Sequence, residues 1–140
     1  PPSRNSEESD HRLYSYLRET CRIIYKTLAE QRSSSYLVKR ALDYIKQHYT
    51  EDLSLDVIAE SIFVSPSYLS SLFRQNIGKT YIEYLNSFRI SKAKEIMKNE
   101  PHLKNYEVAE KVGYSPKYFA QLFKQIEGIT LSDYRQSHLR

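Results

Sequence analysis

Residues 58–84, I-A-E-S-I-F-V-S-P-S-Y-L-S-S-L-F-R-Q-N-I-G-K-T-Y-I-E-Y, return fifty positions later as residues 108–134, V-A-E-K-V-G-Y-S-P-K-Y-F-A-Q-L-F-K-Q-I-E-G-I-T-L-S-D-Y, with no gap between the copies. The same residue recurs at Ala59/Ala109, Glu60/Glu110, Ser65/Ser115, Pro66/Pro116, Tyr68/Tyr118, Leu72/Leu122, Phe73/Phe123, Gln75/Gln125, Gly78/Gly128, Thr80/Thr130 and Tyr84/Tyr134. Conservative pairs such as Ile58/Val108, Ile62/Val112, Leu69/Phe119 and Arg74/Lys124 fill much of the rest. The matches concentrate on apolar and helix-capping positions, which marks a true internal repeat. Two copies are too few for a solenoid, so two similar subdomains joined by a connector is the simpler architecture.

Local physics builds each unit as a helix, a tight turn and a second helix. Ser65 and Ser115 are placed to accept hydrogen bonds from orphan backbone N–H groups, and Pro66 and Pro116 follow at the first helical position, where a missing N–H costs nothing. Beyond them Leu69, Leu72, Phe73 and Ile77, or Phe119, Leu122, Phe123 and Ile126, fall at helical spacing and are expected to face a core. Ser67, Ser70, Ser71 and Arg74, or Lys117, Ala120, Gln121 and Lys124, then point away. A shorter helix precedes each, over about residues 55–62 and 106–112, with a small alanine in the middle that permits close approach. Such a pair suits a helix-turn-helix. Between the units, about residues 80–99 contain no Pro or Gly and read as one helix of roughly 30 Å. That length is close to the roughly 34 Å between successive major-groove segments on one face of B-DNA.

The stretch from about residue 36 to 135 resembles the DNA-binding domain of AraC/XylS-type transcription activators, and within them the YesN-like response regulators. The residues that carry the resemblance are D-L-S-L-D-V-I-A-E (52–60), S-P-S-Y-L-S-S-L-F-R (65–74), G-K-T-Y-I-E-Y-L (78–85), R-I-S-K-A-K-E-I-M (89–97), V-A-E-K-V-G-Y (108–114), K-Y-F-A-Q-L-F-K (117–124) and G-I-T-L-S-D-Y-R (128–135). The resemblance implies an all-α, seven-helix domain whose two helix-turn-helix units, at about 53–78 and 104–128, insert their second helices into adjacent major grooves. Carried over by position, the base-reading sites fall on Ser67, Ser70 and Ser71 in the first unit and on Lys117, Tyr118 and Gln121 in the second. Arg74 and Lys124 fall at or near phosphates, and backbone N–H groups at the first-helix N-termini, near Ser54 and Asn105, are available to the same groups. Gln suits adenine, Lys suits guanine, and Ser is permissive, so discrimination is expected mainly from the second unit, from DNA shape or from water. The chain departs from the family pattern in the shorter G-Y-S-P-K-Y-F of the second unit and in Thr130-Leu131, where the family favours Thr-Pro.

Composition agrees with this reading without being able to generate it. Hydrophobic residues make up 40% of 140 and aromatic residues 13%, enough for one compact domain plus an extension, and the formal charge of +4 favours a polyanionic partner. Arg89, Lys92, Lys94 and Lys98 on the connecting helix are expected either to approach a nucleic-acid backbone or to form a solvated face. One cysteine excludes an intrachain disulfide and fits a reducing cytoplasm, while no apolar run reaches membrane-spanning length and no signal-peptide core is visible. His11, His48, His102 and His138 show no ligand spacing, Cys21 stands alone, and three glycines form no phosphate loop, so neither catalysis nor a metal or cofactor is expected. Ser132, Asp133 and His138 share only an exposed helix end.

The first 35 residues form a different segment. Residues 1–9 are polar and expected to be irregular, residues 11–31 read as a helix with Leu13, Leu17, Ile24 and Leu28 on one stripe, and Arg32-Ser33-Ser34-Ser35 is expected to end it before a domain over 36–140. In YesN-like regulators such a helix connects an upstream receiver or sensor to the output domain, so the chain resembles a C-terminal fragment of something longer. Its stripe can pair with a second copy, making a homodimer, or pack on its own DNA-binding domain. The expected function is a sequence-specific DNA-binding output domain of a bacterial transcription regulator, an activator that binds a promoter operator and contacts RNA polymerase. The alternative is a protein-interaction module that touches RNA polymerase or another regulator without DNA specificity of its own.

Overall fold

A computed structural model of the chain describes residues 4–139, apart from the side chains of residues 31 and 32. The described residues form seven helices and no strand: α1 (Arg4–His48), α2 (Leu55–Ser61), α3 (Pro66–Ile77), α4 (Tyr81–Asn99), α5 (Asn105–Lys111), α6 (Pro116–Glu127) and α7 (Leu131–His138). They belong to two units, one ending at Leu37 and the other beginning at Val38.

The described residues of the N-terminal unit are all helical, which corrects two expectations. The segment 1–9 is helical from Arg4 onward, with residues 1–3 outside the described residues, and Arg32-Ser33-Ser34-Ser35 does not break α1. Glu7, Glu8 and Asp10 near the start of a helix are favoured by its dipole. A serine costs only about half a kcal/mol relative to alanine inside a helix, whereas restarting a helix after a break incurs a fresh nucleation cost. The serines are therefore carried through by the helix on either side. Leu13, Leu17, Ile24 and Leu28 are each more than half exposed.

In the second unit the last turns of α1 contribute Val38, Ala41 and Ile45 to the buried set, together with Leu53, Ile58, Ala59, Ile62, Leu69, Leu72, Phe73, Tyr81 and Leu85. A second core gathers Ile90, Ala93 and Met97 of α4 with Val108, Ala109, Val112, Tyr114, Phe119, Leu122, Phe123, Leu131 and Tyr134. Helix α4 thus serves the first core with its opening turns and the second with its later ones. Thr80 caps it: the hydroxyl accepts from Glu83 N (3.2 Å) and Glu83 returns a carboxylate to Thr80 N (2.9 Å).

The duplication is reproduced at the atomic level. Ser65 and Ser115 cap α3 and α6 by accepting from Tyr68 N and Tyr118 N, and each helix ends where Gly78 or Gly128 donates its N–H to the carbonyl of Arg74 or Lys124. The turns are closed by matching bonds, Val64 N to Ala59 O (3.0 Å) and Tyr114 N to Ala109 O (2.9 Å). Ile126 departs from the expected core assignment, being 40% exposed. Its counterpart one repeat earlier is Asn76, an exposed position, while the half-buried position of Ile77 is occupied by Glu127, which accepts an ion pair from Lys94 at 3.1 Å.

Arg89 is also corrected. It is 6% exposed rather than solvated; Nε donates to Tyr49 O (2.7 Å) and Nη2 to Glu51 O (2.6 Å), just past the end of α1. A cation there faces the negative end of the helix dipole, so its charge is compensated without a carboxylate. Lys92 pairs with Glu95, and Lys98 is exposed.

The equivalent turn positions 63 and 113 both adopt a left-handed backbone, Phe63 at φ 60° and Gly113 at φ 89°. For a bulky residue this conformation costs about 1–2 kcal/mol, and the Phe63 side chain, 89% exposed, recovers little of it by burial. A Cβ at Gly113 would lie 3.0 Å from Thr50 O and 3.2 Å from Arg89 Nη2. Phe63→Gly is therefore expected to stabilise the domain by about 0.5–1 kcal/mol after the entropy of a new glycine is subtracted. Gly113→Ala should cost about 2 kcal/mol or more. Thermal and denaturant melts of the two variants should move in opposite directions.

Candidate nucleic-acid interface

The two helix-turn-helix pairs present α3 and α6 with one face buried and the other in solvent. On α3, Ser67 and Ser71 are exposed and Ser70 is half-buried; Ser71 Oγ donates to Ser67 O (3.2 Å), so part of its hydrogen-bonding capacity is spent locally. On α6, Lys117, Tyr118, Gln121 and Lys124 are all exposed. Among the described residues none hydrogen-bonds or ion-pairs with the side chains of Arg74, Lys117, Gln121 or Lys124. Cations held outward without a carboxylate keep their full charge for a polyanion.

A shallow cleft brings Asn105, Gln121 and Lys124 together and adds Thr130 and Ser132 at the start of α7. Thr130 and Ser132 were not expected at this face; the recurrence of Thr80 at Thr130 is the sequence signal that places a second helix start there. Thr130 caps α7 by accepting from Asp133 N (3.1 Å). Asn105 is the first residue of α5, and Lys104 precedes it at the cap position. Its carboxamide oxygen accepts from Arg135 Nε (2.8 Å), and Arg135 Nη2 donates to Leu103 O (2.8 Å), so α7 holds the entry to α5 in place. Ser54 caps α2, its hydroxyl accepting from Val57 N at 3.3 Å.

Behind the exposed face lies an aromatic support. Tyr118 meets Tyr114 edge-on with ring centroids 5.4 Å apart, and the Arg89 guanidinium lies 4.9 Å from the Tyr114 centroid. Tyr114 also donates its hydroxyl to Asn86 Oδ1 on α4. Burial pushes the Tyr114 phenol up to about 12, with Arg89 pulling the other way, and burial does the same to Tyr81, whose hydroxyl donates to Leu53 O.

These paired units define a double helix-turn-helix domain with an outward, cation-bearing helix in each half. A profile described as Helix-turn-helix domain matches residues 58–137. The C-terminal domain of AraT, a response regulator from Geobacillus stearothermophilus, is 37% identical with a TM-score of 0.71, the match covering 74% of this chain and 87% of that one. The transcriptional regulatory protein HptR of Staphylococcus aureus is 33% identical over 90 residues, 64% of this chain and 35% of HptR. The DNA-binding domain of AdpA, solved in complex with a target DNA, has the same fold at 20% identity, with a TM-score of 0.67 over 73% of this chain and 91% of its own. The chain belongs to the AraC-type helix-turn-helix DNA-binding domain family, the family of transcription-regulator output domains. It spans about a third of the length of the curated relatives it matches. Among the described residues no helix is long and apolar enough to cross a membrane.

The raised phenols link stability to alkaline pH. Their protonated forms are favoured by folding, so the stabilisation is complete below the ordinary tyrosine value of about 10 and is lost as pH rises toward about 12. Tyrosinate absorbance should reveal late-titrating phenols. Tyr114→Phe should remove one of them and make the alkaline loss of stability shallower, while lowering stability at neutral pH by about 1 kcal/mol through loss of the Asn86 bond.

Proposed function

We propose that this domain recognises a two-element promoter operator by docking α3 and α6 in adjacent major grooves, and that it acts as an activator which contacts RNA polymerase from that position. The observation that carries the docking is the pair of capped, outward-facing helices joined by α4, a 19-residue helix of roughly 28 Å. Gln121, Lys117 and Tyr118 read bases under α6, and Ser67, Ser70 and Ser71 meet bases under α3. Arg74 and Lys124 hold phosphates, aided by the helix starts at Ser54 and Asn105. The second unit is the stronger reader, because Gln and Lys offer long, directional groups to base edges where serine offers a short, permissive hydroxyl. Selection from a random duplex library should enrich a site with two elements about one helical turn apart, with the sharper base preference under α6. Gln121→Ala is expected to cost about 1–3 kcal/mol and relax one base pair, and Lys124→Ala to weaken all sequences alike and reduce the salt slope by about one. Enrichment of no sequence, with purely salt-driven binding, would favour the protein-interaction reading.

A second copy of α1 is the proposed partner of the exposed stripe of Leu13, Leu17, Ile24 and Leu28. Helices bearing such a stripe gain by burying it against one another. Sedimentation should show a concentration-dependent dimer that Leu17→Glu abolishes, and a wild-type monomer at high concentration would exclude it.

A further inference from the structure

Between the two helix-turn-helix units, Arg89 occupies a position the DNA-facing chemistry leaves unexplained. Its guanidinium donates to Tyr49 O and Glu51 O in the segment leading into the first unit, and lies 4.9 Å from the ring centroid of Tyr114 in the second. On the same spot Gly113, in the turn between α5 and α6, leaves room for Thr50 O, which would stand only 3.0 Å from a Cβ there. Three segments therefore meet around one planar cation: the chain after α1, the middle of α4, and the second turn. Tyr114 in turn is held by Asn86 of α4 and supports Tyr118 on the outward face of α6.

We infer that Arg89 is a positioning residue that fixes the angular and translational register of the two recognition helices, so that the domain reads the spacing between its two DNA elements as well as their bases. This rests on the two-element docking proposed above. The reasoning is geometric. A guanidinium is a rigid fork whose in-plane donors satisfy two fixed carbonyls while its cationic centre lies over a ring, which ties three segments to one group. Lysine supplies the charge as a point on a flexible stem and cannot hold both carbonyls and the ring in one arrangement. With the fork gone, each unit keeps its own core and caps, but the second element is no longer presented at a set distance. The joining of two sites gains affinity only when geometry permits both to engage at once.

The test compares wild type, Arg89→Lys and Arg89→Met, using the 140-residue chain, with helicity and melting recorded for each. Affinities are measured for a duplex carrying only the α6 element and for two-element duplexes whose spacer is varied one base pair at a time. Wild type should gain about a hundredfold at its best spacer over the single element. Arg89→Lys should bind the single element within about twofold of wild type, yet keep only about a tenth of the two-element gain, with a flattened spacer profile. Arg89→Met, which removes the fork together with its buried charge, should flatten the profile in the same direction and decides the matter if Arg89→Lys does not fold. A folded Arg89→Lys, or failing that a folded Arg89→Met, with the wild-type spacer profile overturns the positioning role while leaving two-element docking intact. Wild type indifferent to spacer length removes two-element docking, and the positioning role with it.

Discussion

Helix α4 has to satisfy two cores at once, and the arrangement of the domain follows from that constraint. Its opening turns bury Tyr81 and Leu85, its later turns bury Ile90, Ala93 and Met97, and Arg89 sits between them. A helix keeps its side-chain directions in fixed rotation, so the two sets of apolar residues also set the directions from which the two units can pack. Arg89 lies at the changeover. A buried cation is tolerated there because two carbonyls just beyond the end of α1 accept its N–H groups and the Tyr114 ring covers it. Stripped of those partners, the same charge would carry a desolvation penalty far larger than any single contact in the domain.

The repeat is close to symmetric where each unit folds on itself and asymmetric where the units differ in surroundings. Both turns close with the same bonds, and both place the residue two positions before the second helix's serine, Phe63 or Gly113, in a left-handed backbone. Only at Gly113 does another segment press close, through Thr50, so only there does a side chain become a steric problem as well as a backbone one. Phe63 projects into solvent and its strain is purely local. The exchange of Ile77 for Glu127 has a comparable origin: Lys94 of α4 reaches Glu127 and lies 5.9 Å from the Tyr134 ring centroid, so the second unit meets α4 through an ion pair where the first has an aliphatic residue.

The outward faces divide the chemistry unevenly. Helix α3 offers hydroxyls, one of them already bonded to its own backbone, and a single cation at Arg74. Helix α6 offers two lysines, a glutamine and a supported tyrosine, beside a cleft that also contains the start of α7. Equivalent backbones thus present unequal side-chain chemistry, because the backbone is governed by caps and core residues shared by both copies, whereas the exposed positions are free to differ.

The helices of the two repeats, the serine caps of α3 and α6 and most of their buried faces were legible because they depend on near neighbours in sequence: serine before proline, apolar residues three and four apart. The outward set followed from the same periodicity, and the family resemblance attached roles to it. Sequence alone did not show that Arg89 is buried, since its partners lie 38 and 40 residues away on backbone carbonyls that carry no side-chain signature. Nor did it show that Asn105 is tied to Arg135 or that Thr130 and Ser132 join Gln121 and Lys124 in one cleft. The serine run at 33–35 misled because local propensity is a fraction of a kcal/mol per residue, while helix continuation is cooperative. What this sequence determined by itself is the duplicated local structure. What tertiary structure decided is how the copies are tied together and which cations remain outside, because both depend on contacts between residues distant along the chain.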